Sequence, residues 1–325
     1  MVRALGIFSG GLDSILAALL LRRQGIEVCG VTFVTPFFGA DKALKSAAAA
    51  AIPLQVRNIA EVHLEMLKHP RYGYGRNLNP CIDCHALMFR LAGARLAEQG
   101  FDFLFSGEVL AQRPMSQNSN ALKAVAKAST VADRILRPLS ARLLPVTAME
   151  EQGLVDREQL LDIQGRSRRR QEELARQWGV AEYPAPGGGC LLTEKSFVNR
   201  LRELLASTPE ATVTDVELLK LGRRFRLSSA VWLTVGRNQE RNEAIRLLAR
   251  PDHWLLQARE FAGPLGLVSG PAGEEDLLMA AAVVAGYGKG RQCGRVSVAV
   301  CRGEESRTLE VTPFSAEELA DRILP

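Results

Sequence analysis

Short apolar runs alternate with amphipathic stretches through the N-terminal two-thirds of the chain. ALGIF (residues 4–8) predicts a strand, and residues 15–21 a helix soon after it. EVCGVTFVT (27–35) is nearly continuous and β-branched, the pattern of a strand buried on both faces. LQVRN (54–58), FDFLF (101–105) and ILRP (135–138) predict three more strands. Residues 41–51, 81 to about 99 and 157–178 predict helices. Strands alternating with helices imply βαβ units and a parallel sheet, with a crevice at the carboxyl ends of the strands.

The texture changes after Ser207-Thr208-Pro209, a plausible boundary that follows an amphipathic helix at 197–206. A second amphipathic helix is predicted at 213–219. Residues 223–227 and 230–235 read as a hairpin through Ser228-Ser229, and 237–248 as a helix. Strands at 254–258, 265–268 and 295–301 and helices at 276–286 and 315–323 complete a small α+β pattern. The expected organisation is an α/β parallel-sheet domain over 1–208, followed by a small α+β domain over 209–325.

The length of 325 residues suits two domains, and 47% hydrophobic residues suffice for two cores. No apolar run reaches the roughly 18 residues needed to span a membrane. The chain runs straight into its first strand, which leaves no room for a cleavable signal, so a cytoplasmic protein without a membrane partner is expected. Its six cysteines then point to metal or redox work rather than disulfides. The formal net charge of +5 is concentrated before residue 208 and favours a polyanionic partner.

Ser9-Gly10-Gly11-Leu12-Asp13-Ser14 lies between the first strand and its helix. Glycines there let backbone N–H groups approach an anion, and the helix N-terminus adds a favourable dipole. The serines add hydroxyls, and Asp13 can hold Mg2+. The lysine of the common triphosphate loop is missing. The plainer alternative is an ordinary strand-to-helix turn. Downstream, RYGYGRNLNP (71–80) is short of aliphatics and rich in Gly, Tyr and Arg. It reads as a contact loop in which aromatics and arginines can meet a nucleotide, or as a solvated connection.

Cys81 and Cys84 form a C-x-x-C at a helix start, next to His85, and Cys190 ends a distant PGGGC. Three thiolates with one open position suit an Fe–S cluster, while three sulfurs plus His85 suit a closed zinc site. A metal-free Cys81–Cys84 pair, or Cys190 alone as a persulfide carrier, stay open. SGEVLAQRPMSQ (106–117) follows the fourth strand, and Arg137 ends the fifth. GRSRRRQ (165–171) is either a solvated helix face or a phosphate-binding run.

SGGLDS resembles the phosphate loop of the PP-loop ATP pyrophosphatases. Together with SGEVLAQRPMSQ, LRPLS and the three cysteines, it resembles the tRNA-thiolating branch, near the catalytic domain of the 4-thiouridine synthetases. The resemblance implies an adenine nucleotide alpha-hydrolase-like fold and cleavage of ATP to AMP and pyrophosphate. It implies nucleotide contacts at Ser9, Gly10, Gly11, Asp13, Ser14, Phe33, Gly107 and Gln112, with Ser116 and Gln117 alongside. It also implies Mg2+ at Asp13 and a 4Fe-4S cluster, or alternatively Zn2+, on Cys81, Cys84 and Cys190. Asp13 and Cys190 would be catalytic. LGRRFRL (221–227) and VGRNQERN (235–242) resemble the RNA-binding domain of the NFACT proteins. RNA contacts are expected at Arg166, Arg168, Arg169 and Arg170 and at Arg223, Arg224, Arg226 and Arg237, the latter four on one face. The implied activity is an ATP-dependent tRNA sulfurtransferase with tRNA, ATP and a sulfide or persulfide donor as partners. A PP-loop ligase acting on a small molecule and a non-catalytic nucleotide- and RNA-binding protein are the alternatives.

Overall fold

The computed structural model describes residues 1–185 and 189–322. It divides into two compact units, Met1–Thr193 and Glu194–Pro325.

In the first unit, β1 (Arg3–Ile7), β2 (Glu27–Val34), β3 (Leu54–Asn58), β4 (Phe103–Ser106) and β5 (Ile135–Leu136) form a five-stranded sheet in the order β3-β2-β1-β4-β5. Every pairing is parallel. The order reverses at β1, so the segments leaving β1 and β4 splay from adjacent carboxyl ends, with Ile7 in register with Ser106. Ligands bind open parallel sheets at such a switch point. Helix α1 (Leu12–Arg23) is buried along most of its length, which explains its nearly uniform apolar sequence. It is followed by α2 (Asp41–Ala49), α3 (Ala60–Lys68), α4 (Cys81–Gly93), α5 (Ser119–Ser129), the single turn α6 (Ala148–Glu151) and α7 (Arg169–Gln177).

Two expectations for this unit need correction. The helix opened by Cys81 ends at Gly93. The charged helix expected over 157–178 is a 3-10 turn, Arg157–Gln159, an irregular stretch, and then α7. Gly165 takes a left-handed backbone with φ of 83°, and Leu160 and Ile163 are drawn into the core as the chain crosses to it.

In the second unit, α8 (Lys195–Ser207) and α9 (Val213–Leu221) precede β6 (Gly222–Arg226) and β7 (Trp232–Gly236). Then come α10 (Gln239–Leu248), β8 (Trp254–Ala258), β9 (Gly266–Ser269), α11 (Glu274–Gly286), β10 (Val296–Arg302), β11 (Glu305–Val311) and α12 (Ala316–Arg322). The six strands pair antiparallel in the order β11-β10-β8-β9-β7-β6. The expected hairpin is β6–β7. Strand β11 was not expected: only Leu309 and Val311 alternate inward on an otherwise polar strand. Helix α11 supplies the apolar centre of this core.

The units divide at Thr193/Glu194, ahead of the expected boundary at 208/209. Phe197, Val198, Leu201 and Leu204 of α8 are buried, and α8 packs on α9. Ser207-Thr208-Pro209 is therefore a turn between two helices of one unit; the Ser207 hydroxyl donates back to the Glu203 carbonyl at 2.8 Å.

Helix α9 begins with a capping box. Asp215 Oδ2 accepts from Thr212 N–H and from Thr212 Oγ1, both at 2.8 Å, and lies 3.4 Å from Arg250. Burial by itself would raise the Asp215 pKa, but these hydrogen bonds and the Arg250 charge outweigh it and hold it below the usual 3.8. The stabilisation is therefore complete above the unfolded-state value and is lost as pH falls through the lower folded value. Thr212→Ala is expected to cost about 1 kcal/mol. Thermal unfolding between neutral pH and pH 2 checks both points: Asp215→Asn should remove part of the acid-side slope.

Candidate active site

The phosphate loop is fixed by backbone contacts on two sides. Gly10 has φ of 75°, and a Cβ there would lie 2.6 Å from the Lys42 carbonyl oxygen at the start of α2. Ser46 Oγ donates to the Gly10 carbonyl at 2.8 Å and fastens α2 to the loop. On the other side, a Cβ on Gly107 would lie 2.5 Å from the backbone of Asp13 and Ser14. Within the loop, Ser14 Oγ donates to the Gly11 carbonyl at 2.8 Å, and Ser9 Oγ stands 3.5 Å from Ser14 Oγ.

Asp13 opens a polar chain. Gln112 Nε2 donates to Asp13 Oδ2 at 2.8 Å, and Gln171 Nε2 donates to Gln112 Oε1 at 3.2 Å. Arg168 reaches 4.0 Å from the same carboxylate. Among the described residues, Asp13 Oδ1 is buried without a hydrogen-bond partner. A buried carboxylate oxygen left without a donor suits a cation, and this is how the site fits Mg2+.

The loop faces a cavity of about 560 Å³. Ser9, Gly11, Asp13, Ser14, Phe33, Gly107 and Gln112 line it, whereas Gly10 is packed behind the loop. Lys42, Arg113, Arg166 and Arg168 make one part of the wall basic. Phe33, Phe38, Met88 and Phe89 make another part apolar. Charged and flat apolar surfaces in one cavity suit a ligand with both phosphates and an aromatic base.

Cys81, Cys84 and Cys190 line the same cavity. The Cys84 thiol pKa is pushed well above its usual 9.0, first by burial and then by the nearby Cys190, Cys81 and Asp83. A backbone bond from Leu191 N–H to the Phe37 carbonyl, 2.9 Å, returns the Cys190 segment to the first core. Residues 186–188 of the Gly-rich run lie outside the described residues. Three thiols brought to one cavity wall match the chemistry of a site that a cation completes. Among the described residues, no three His, Cys, Asp or Glu side chains already stand in a metal-holding arrangement.

His63, not His85, stands against the thiols. Its Nε2 lies 3.3 Å from Cys84 Sγ, and burial between Phe37 and Phe38 lowers its pKa to about 4. The Nδ1 of His85 is engaged instead by Glu108 Oε1 at 2.7 Å. Arg137 Nε donates to Glu108 Oε2 at 2.8 Å. Burial would raise Glu108, but Arg137 and His85 hold its pKa at about 2. A buried carboxylate in the cavity wall thus has its charge compensated.

The sequence reading missed His63 and Lys42. His63 lies in a stretch to which that reading gave no element, and Lys42 lies in the helix read over 41–51, to which it gave no functional residue. The run 166–170 divides between two places. Arg166 and Arg168 line the cavity, while Arg169 and Arg170 border a separate surface hollow in which Arg170 pairs with Asp162.

The expected common face of Arg223, Arg224, Arg226 and Arg237 is corrected too. Strand alternation puts Arg224 and Arg226 together against Trp232, at 4.5 and 5.4 Å. Arg224 is only 4% exposed, and burial lowers its pKa to about 10, so it cannot present its charge at a surface. Arg223 lies instead 4.4 Å over Tyr287. Arg237 is exposed and close enough to perturb both Tyr287 and Arg200, so Arg223 and Arg237 stand beside one tyrosine.

Fold and site together define an α/β domain with a PP-type phosphate loop, joined to an antiparallel α+β unit. Residues 2–142 match the family model "Thiamine biosynthesis protein (ThiI)", and residues 222–322 match "NFACT protein RNA binding domain". Both resemblances read from the residues are borne out. A tRNA-specific 2-thiouridylase MnmA 1 of Syntrophus aciditrophicus is 28% identical over 289 residues, covering 82% of this chain and 71% of that protein. The MnmA of Desulforamulus reducens is 32% identical over 125 residues, and the match spans 34% of its length. Among solved structures, a 4-thiouridine synthetase–RNA complex with bound ATP is 18% identical, over 66% of this chain and 53% of that one, with a TM-score of 0.36. No helix among the described residues is long and apolar enough to cross a membrane.

Gly107→Ala is expected to push the phosphate loop off β4 and destabilise the first unit by about 1–3 kcal/mol. Gly39→Ala, where a Cβ meets nothing within 4 Å, is the control. Glu108→Ala should cost about 3–5 kcal/mol, because it strands the buried Arg137 charge. Urea unfolding measures all three.

Proposed function

We propose that this chain is an ATP-dependent tRNA sulfurtransferase that converts a uridine carbonyl to a thiocarbonyl. The observation that carries this reading is the single cavity shared by the phosphate loop and the three thiols. ATP lies with its phosphates along Ser9–Ser14 and the basic wall, and with its base among the phenylalanines. Asp13 is the residue that would hold Mg2+, which would supply charge neutralisation for the phosphates. The uridine carbonyl oxygen attacks the α-phosphorus and pyrophosphate leaves. Sulfide then adds at the activated carbon and expels AMP, so the uridine oxygen departs in AMP and no electrons are exchanged. The protein's part in the first step is positioning and charge neutralisation by Lys42, Arg113 and Arg168.

Cys81, Cys84 and Cys190 would hold the 4Fe-4S cluster. Such a cluster, when bound through three thiolates, offers an open iron position for a sulfur ligand. The RNA is held by Arg166 at the cavity and, on the second unit, by Arg223 and Arg237 beside Tyr287, with Arg226 as a further exposed cation. The names of the MnmA relatives and of the NFACT domain support the RNA substrate.

The test is anaerobic turnover of the whole chain with ATP, a tRNA transcript and sulfide. AMP, pyrophosphate and an oxygen-for-sulfur mass change in one nucleoside are expected. ADP and orthophosphate as products would overturn the reading. Asp13→Asn should slow pyrophosphate release by on the order of a hundredfold. Cys190→Ser should abolish thiolation yet spare much of the pyrophosphate release, because the thiols act after adenylation.

A further inference from the structure

The loop between α3 and α4 is not used by the chemistry above. It carries two of the chain's four tyrosines. Arg71, Tyr72, Gly73, Tyr74 and Arg76 are all exposed, with Tyr72 at 39% and Tyr74 at 42%. The Arg71 guanidinium lies 5.8 Å from the Tyr72 ring centroid. Among the described residues, neither Arg71 nor Arg76 has a carboxylate partner for its side chain.

This exposure is held in place. Asp83 accepts Arg71 N–H at 3.1 Å on one oxygen and Tyr72 N–H at 3.0 Å on the other. Tyr74 donates its hydroxyl to the Leu67 carbonyl at 2.7 Å, and Asn77 Nδ2 donates to the Thr193 carbonyl at 3.0 Å. Asp83 sits between Cys81 and Cys84, and Asn79, Pro80 and Cys81 belong to the cavity wall. The loop is therefore a pinned rim of the cavity, with its aromatic and cationic side chains directed at solvent.

A small nucleotide is accommodated inside the cavity and leaves this rim unused. A polynucleotide extends past it. A nucleoside that enters the cavity must leave its stack, and its neighbours then lose a stacking partner. A tyrosine ring is a platform for such a base, and flanking arginines suit the adjoining phosphates. We propose that residues 71–76 dock the unpaired nucleotides next to the target nucleoside of an RNA substrate, with Tyr72 stacked on a base and Arg71 and Arg76 on phosphates. The inference rests on the RNA-directed reading above and names where that substrate lies outside the cavity.

The test is the affinity of the full chain for a tRNA transcript, read by fluorescence anisotropy over a salt series. Tyr72→Ala should raise Kd about 5- to 100-fold, and Tyr72→Phe should leave it near wild type, because stacking needs the ring and not the hydroxyl. The Arg71→Ala/Arg76→Ala double variant should reduce the salt slope by roughly one to two units. Affinity for a non-hydrolysable ATP analogue and the thermal midpoint should stay unchanged in each, which separates lost contact from misfolding. Wild-type RNA affinity in Tyr72→Ala, or equal losses in Tyr72→Ala and Tyr72→Phe, would overturn the stacking role while leaving the proposed reaction standing. A wild-type chain that binds no tRNA would overturn both.

Discussion

The first unit depends on two places where backbone meets backbone. Gly10 lies against the opening turn of α2, and Gly107 against the peptide between Asp13 and Ser14. Neither contact leaves room for a side chain, so the loop cannot shift without moving a helix or a strand. The parallel register of β1 with β4 brings these segments together. The positions of Asp13, of Gln112 bonded to it and of Ser14 follow from that clamp.

The distribution of charge follows the same logic. The cavity wall carries Lys42, Arg113, Arg166 and Arg168, and the acidic Asp13 faces them across the loop. A second carboxylate, Glu108, lies close by but is consumed by Arg137 and His85, so it does not offset the basic wall. The thiols line the same cavity, where burial, and after it the neighbouring Cys190, Cys81 and Asp83, raises the Cys84 pKa. The basic wall, the glycine-rich loop and the thiols therefore share one cavity. In the second unit, buried Arg224 is stacked on Trp232, while exposed Arg237 and the partly exposed Arg223 remain for a polyanion.

Much of this was legible in the residues. The phosphate loop, the alternation of strands and helices and the C-x-x-C at a helix start are local patterns, and local sterics and periodicity enforce them. The hairpin of β6 and β7 was legible for the same reason. Strand β11 was not, because two inward residues on a polar strand are too weak a period to stand out. The helix expected over 157–178 failed because charge density was read as continuity, whereas Gly165 and the buried Leu160 and Ile163 divide the segment.

By itself the sequence determined which chemical groups exist and the local form each takes: a glycine turn before a helix, thiols one turn apart, arginines on a strand. Only the tertiary structure decided which of them meet. Cys190 reaches Cys81 and Cys84 because the chain returns to Phe37, and His63 reaches Cys84 because α3 packs beside α4. Arg168 faces Asp13, and Arg224 is sealed against Trp232. These are contacts between residues far apart in the chain. Their energy comes from burial and close packing, and a one-dimensional pattern carries no record of which surfaces are buried against each other.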